Sequence, residues 1–241
     1  MKIRTLIIGY VLALALFLFA KRHPDASSPT EFRAVVDLTH ATDVLALAYE
    51  PTAKSSSELL GTRIDAPAHF ARGLWTVDQI PTERLIAPLV VLDVTANAAN
   101  HPDYQISVED IARWEQTHSQ IPLGSVVMAR TGWDSRWNSI KEYRNTDRQG
   151  TMHFPGFSQD AVKFLIEGRN ALGLGIDTLS IDYGPSKDFP VRQYTLSHSV
   201  YQLENVANLD RAPAAGGMVV VAPTKLESGS DGPVRILALV R

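Results

Sequence analysis

Short apolar runs, separated by polar stretches that carry Gly and Pro, recur along the chain from Phe32 onward. Ala34–Leu38 holds the β-branched pair that predicts a strand. Pro88–Val94 (PLVVLDV) is nearly all apolar and predicts a strand buried on both faces. Ser125–Arg130 (SVVMAR) has the same character. Leu172–Ile176 and Leu179–Ile181 predict short strands on either side of Asp177. Met218–Ala222 and Val234–Val240 predict buried strands near the C-terminus. Two helices are marked by caps. Ser107 opens one that runs to about Thr117, with Glu109 and Asp110 in its first turn. Ser158 opens another to about Glu167, where Gly168 stops it. Many strands and few helices predict an α/β domain built around a mixed β-sheet. The strands do not alternate regularly with helices, and no G-x-G-x-x-G or P-loop is present. Both points argue against a doubly wound nucleotide-binding fold.

The N-terminus has a different pattern. Lys2 and Arg4 precede an uncharged apolar run from Leu6 to Ala20, which Lys21, Arg22 and His23 end. This predicts a segment over residues 1–22 that is either a secretory signal peptide or a short uncleaved membrane anchor through residues 5–20. As a helix the run reaches only about 22 Å, short for the bilayer core. Either reading places the rest of the chain outside the cytoplasm, as a periplasmic, secreted or membrane-anchored protein. Residues 23–31 read as a polar linker and 32–241 as one globular domain. The 241 residues carry a net charge of −3 and are 45% hydrophobic, enough for a sizeable core. Without residues 1–22 the balance is 19 basic against 26 acidic residues. That leaves no basic footprint for nucleic acid. The absence of cysteine excludes disulfides, thiol nucleophiles and Cys-based metal sites. Any metal must sit on His, Asp, Glu or backbone oxygen.

The most informative stretch is Gly61-Thr62-Arg63-Ile64-Asp65-Ala66-Pro67-Ala68-His69-Phe70. At that spacing Asp65 and His69 can share a metal. Alternatively the carboxylate orients the imidazole as a base, or the pair simply ties a loop with side-chain hydrogen bonds. The stretch resembles the signature H-x-G-T-H-x-D-x-P-x-H of the cyclase family, which includes kynurenine formamidases and isatin hydrolases. Further stretches resemble the isatin-hydrolase branch: Phe70–Pro81, Thr131-Gly132-Trp133, His153–Phe157, Gly175–Thr178 and Glu204–Asp210. Asp37-Leu38-Thr39-His40 is similar to the family's opening strand. The resemblance spans about Ala34 to Val240. It implies a swivelling β/β/α fold, a homodimer or larger homo-oligomer, and metal-assisted hydrolysis of an amide, lactam or lactone. It also implies one or two divalent ions, zinc or manganese. Such an ion polarises a carbonyl and yields hydroxide at neutral pH.

By that resemblance Asp65 and Glu204 are retained metal-ligand positions, and His69 is the catalytic acid/base. The three histidine ligands of the family fall on Leu59, Arg63 and Arg192. Neither an aliphatic chain nor a guanidinium ligates a metal. His40, His153 and His198 are the remaining candidates. Their plainer readings are a hydrogen-bonded strand end, a pocket lining and a histidine leading into Glu204. Losing a divalent ion would leave two buried carboxylates together. Arg63 and Arg192 would bring two positive charges to that place, or else point to solvent in a decayed site.

Phe70, Trp75, Trp133 and Phe157 have two readings, a wall that stacks an aryl substrate or ordinary core. Phe70 and Trp75 follow the signature directly and are taken as substrate-binding, together with Arg63 and Arg192. The family's early substrate-contacting tryptophan is not evident in Asp37–Pro51. Three functions follow. One is a hydrolase of the family's type with an unusual metal site. The second is a metal-free pseudoenzyme that binds a small aromatic or carboxylate ligand through Arg63 and Arg192. The third is metal-free catalysis with His69 as base and an arginine stabilising the oxyanion. No Gly-x-Ser-x-Gly elbow is present.

Overall fold

In a computed structural model the described residues are 32–41 and 61–241. The predicted signal or anchor, the linker and Leu59 lie outside them. No helix among the described residues is long and apolar enough to cross a membrane. The described residues between 33 and 240 form one compact unit.

Among the described residues ten strands are present: β1 (Ala34–Asp37), β2 (Arg63–Asp65), β3 (Ile86–Asp93), β4 (Gln105–Ile106), β5 (Val126–Arg130), β6 (Gly156–Phe157), β7 (Gly173–Ile176), β8 (Tyr201–Glu204), β9 (Gly217–Pro223) and β10 (Asp231–Val240). The helices are α1 (Thr95–Asn100), α2 (Val108–His118), α3 (Ile140–Arg144), α4 (Gln159–Lys163) and α5 (Pro190–Ser197). The main sheet runs β1-β10-β2-β8-β7-β5-β3-β9, and β9 also pairs with β10. That last pairing closes the sheet into a barrel-like ring. β3, β5, β7 and β8 are parallel, and the other pairings in the ring are antiparallel. The mixed-sheet α/β class predicted above is the one observed.

The run over β3 is buried on both faces, as its pattern predicts. Leu89 and Val91 face one core with Ile64, Met128, Leu203 and Ile236. Val90 and Leu92 face the other, with Val127, Leu174 and the helix residues Ile111 and Leu165. The period of two divides one apolar run between two cores. Gly173 is needed where β7 meets β8, since a Cβ there would stand 2.2 Å from the Tyr201 ring.

Two expectations need correction. Leu179–Ile181 is not a strand. Its backbone is met by single contacts instead: the Ile181 carbonyl accepts from the Phe157 N–H at 2.8 Å, and the Thr178 hydroxyl lies 2.9 Å from Ser180 O. The helix begun at Ser158 is α-helical only to Lys163 and continues as a wide π-type turn over Phe164–Gly168, with Leu165 buried. Of the two readings of Trp133 and Phe157, the core one is observed, at 2% and 0% exposure.

Candidate functional site

The register of three short strands assembles the site. Arg63 and Asp65 are two residues apart on β2, so their side chains share one face, while Ile64 between them enters the core. Glu204 of β8 stands opposite Arg63, and Asp231 of β10 stands opposite Asp65. One face of β2 and its two neighbours therefore collects Arg63, Asp65, Glu204 and Asp231. Arg192 arrives from α5. The start of that helix is anchored by buried Asp182, which accepts the N–H groups of Val191 at 3.0 Å and Arg192 at 2.9 Å. His69 ends a short turn, Pro67–His69, that follows β2 directly.

Each guanidinium faces both central carboxylates. Arg63 Nη2 donates to Asp65 Oδ1 at 2.6 Å, and its Nε lies 3.8 Å from Glu204 Oε2. Arg192 Nη2 makes a very short bond to Glu204 Oε1, and its Nε lies 3.8 Å from Asp65 Oδ2. Arg63 Nη2 also donates to Asp231 Oδ2 at 3.1 Å, and Arg192 Nη2 to Ser180 Oγ at 3.1 Å. Neither arginine points to solvent: their side chains are 9% and 13% exposed, and Asp65 and Glu204 are at 0%. The packing is not fully satisfied. Asp65 Oδ2, Glu204 Oε2 and Arg192 Nε have no hydrogen-bond partner among the described residues.

The electrostatics follow from this crossing. Burial works to raise Asp65, but Arg63 and Arg192 beside it hold it below the usual carboxylate range. Burial pushes Glu204 up to about 7, and Asp65 adds to that against the two arginines. Both guanidiniums are raised: the attraction of the carboxylates outweighs burial. Arg63, Arg192, Asp65 and Glu204 sum to zero formal charge when all are ionised.

His69 is part of a second, more open layer. Its Nδ1 lies 3.2 Å from Ser230 Oγ and 3.9 Å from Asp231 Oδ1. Phe70 is 43% exposed and borders a cavity of about 470 Å³ with Gln159, Pro190, Gln193, Tyr194 and Ser197. The Arg192 guanidinium stands 5.9 Å from the Phe70 ring and 5.6 Å from that of Phe189. Trp75 packs against the barrel core, with Arg84 over its ring. The other histidines lie elsewhere. His40 stacks on Trp137, and burial lowers its pKa. His153 sits between Asp103 and Asp147, whose hydrogen bonds raise it. His198 stacks on Tyr194.

Asp231, Ser230, Ser180 and Asp182 were not found from the sequence. Ser230 and Asp231 lie more than 150 positions from the signature. No spacing rule links them to it.

The chain belongs to the cyclase family: the family described as putative cyclase matches residues 36–183. Among curated relatives it is similar to isatin hydrolase of Roseibium aggregatum, with 34% identity over 75% of this chain and 71% of the relative. It is also similar to kynurenine formamidase of Salinibacter ruber, with 26% identity over 73% of each chain. Among solved structures, isatin hydrolase A from Ralstonia solanacearum superposes with a TM-score of 0.76 at 32% identity, covering 86% of this chain and 92% of that one. A structure titled as a potential metal-dependent hydrolase with cyclase activity matches with a TM-score of 0.64 at 25% identity, covering 86% and 98%.

The implied metal can be tested against these residues. Asp65, His69 and Asp231 each bring a ligand-type atom within 4.8 Å of the others. Arg63 Nη2, however, already bridges Asp65 and Asp231. A divalent ion on the same oxygens would stand against a guanidinium, and like charges that close repel strongly in a buried setting. Arg63 thus takes one oxygen of each aspartate, while Asp65 Oδ2 has no hydrogen-bond partner among the described residues.

Proposed function

We propose that this chain keeps the cyclase-family hydrolase scaffold without the family's metal-dependent step. In this reading it works as a metal-free protein that binds a small aromatic molecule. One observation carries it: Arg63 and Arg192 cross-pair Asp65 and Glu204, the two carboxylates expected to hold the ion. Two guanidiniums bring the charge of one divalent ion, but they have no open coordination position and cannot turn water into hydroxide. The same pairing favours an aromatic ligand over a carboxylate. A bound anion would have to compete with internal carboxylates already at hydrogen-bond distance. The exposed Phe70 ring and the cavity beside it offer a surface for stacking.

The test is elemental analysis of the purified full-length chain after incubation with zinc and with manganese. Calorimetric titration with isatin and an aryl formamide follows. The expected result is no ion retained in stoichiometric amount and saturable binding of the aromatic compound. A tightly held ion that disappears in Asp231→Asn would overturn this reading in favour of a rebuilt Asp65–His69–Asp231 metal centre.

A further inference from the structure

The turn that leads into β10 presents a serine to the signature histidine. Ser230 Oγ lies 3.2 Å from His69 Nδ1 and 3.2 Å from Asp231 Oδ1. Backbone bonds hold the turn on two sides: Val77 N–H donates to Gly229 O at 2.8 Å, and Ala66 N–H to Ser230 O at 2.9 Å. The turn is tight enough that a Cβ on Gly229 would stand 2.9 Å from Leu226 Cβ. Arg63 grips Asp231 through its other oxygen and places a positive charge beside the turn. The side chains of His69 and Asp231 keep 25% and 33% exposure, so a small molecule can reach the pair.

We infer that Ser230 is a nucleophile with His69 as its base, forming a metal-free acyl-transfer site for activated aryl esters and anilides. The inference goes beyond the ligand-binding reading and does not depend on it. The unit is a Ser–His pair rather than a relay of three. Asp231 faces the same ring nitrogen as the serine and competes for its single hydroxyl proton. When that proton points at Nδ1, neutral His69 takes it as Oγ bonds to the acyl carbon. The tetrahedral oxyanion collapses and the bond to the leaving alcohol or amine breaks. The imidazolium returns the proton to that group. Water then attacks the Ser230 ester, His69 accepts its proton, and the acid leaves as Ser230 regains its hydrogen. The pair depends on tertiary contact, since its members lie 161 positions apart.

Covalent labelling tests this without reference to metal. The full-length chain, held in EDTA, is treated with a fluorophosphonate and mapped by peptide mass spectrometry. A single adduct on Ser230 is expected, absent in Ser230→Ala. It should form at least tenfold more slowly in His69→Ala and in His69→Gln, which keeps the side chain's bulk without its base. No adduct on Ser230, or an unchanged rate in a folded His69→Gln, would overturn the assignment. Since EDTA is present throughout, neither outcome bears on whether the chain can hold an ion.

Discussion

Arg63 is the residue on which the charged face turns. It faces Asp65, Glu204 and Asp231, and burial denies the first two the water that would otherwise solvate them. Arg63→Ala leaves Asp65 ionised without its nearest cation. Removing one partner of a buried ion pair costs about 3–5 kcal/mol, far above the cost at an exposed pair. Urea unfolding of the variant should show a loss of that size, and a loss below about 0.5 kcal/mol would refute the role. Arg63→Lys should recover only part of it. An ammonium is a point charge and cannot address three carboxylates with a planar fork. Arg63, Asp65 and His69 were legible in the sequence as positions of the signature, and Glu204 through the resemblance of the separate Glu204–Asp210 stretch. Where Arg63 and Arg192 point was not legible, because a guanidinium suits solvent as well as a buried carboxylate.

At the scale of elements, α5 decides where Arg192 stands. The helix starts after Phe189, which has a positive φ of 49°, and its first N–H groups are held by Asp182. Burial raises the Asp182 carboxyl against those hydrogen bonds. Asp182→Ala would leave the Val191 and Arg192 N–H groups without that acceptor, a cost of about 1–3 kcal/mol. The denaturation midpoint should fall with an unchanged m-value. An unchanged midpoint would show that the helix start does not need the anchor. The long strands β3, β9 and β10 were legible because sustained apolar runs mark them. The short β2 and β8 were not. Arg63-Ile64-Asp65 and Tyr201-Gln202-Leu203-Glu204 alternate charge or amide with apolar residues, the pattern of a half-exposed strand or a loop. Here both faces are buried because charge is paired with charge.

For the molecule as a whole, the charged face predicts a pH dependence of stability. Unfolded Glu204 has the ordinary value of 4.5, and the folded one is pushed up to about 7. Between those values the folded chain holds the extra proton, so stability falls as pH rises from about 4.5 through 7. Asp65, held below its ordinary 3.8, works at the other end: its contribution is lost as pH falls below that value. Thermal unfolding should therefore show higher stability near pH 5 than near pH 8. The difference should be on the order of 1–3 kcal/mol and should shrink in Glu204→Gln. An equal slope in the variant would assign the effect to other groups.

The sequence by itself determined the two-sided apolar strands and the helix caps, local properties set by period, composition and spacing. Its motifs added the resemblance to the cyclase family, which implied that Arg63 and Arg192 stand at histidine positions. Only the tertiary structure decided that both arginines turn inward, that Asp231 closes the charged face, and that Ser230 meets His69. Each of these rests on strand register and on contacts across more than a hundred residues. The free energy of placing a charge there depends on what burial removes and what the facing side chain returns.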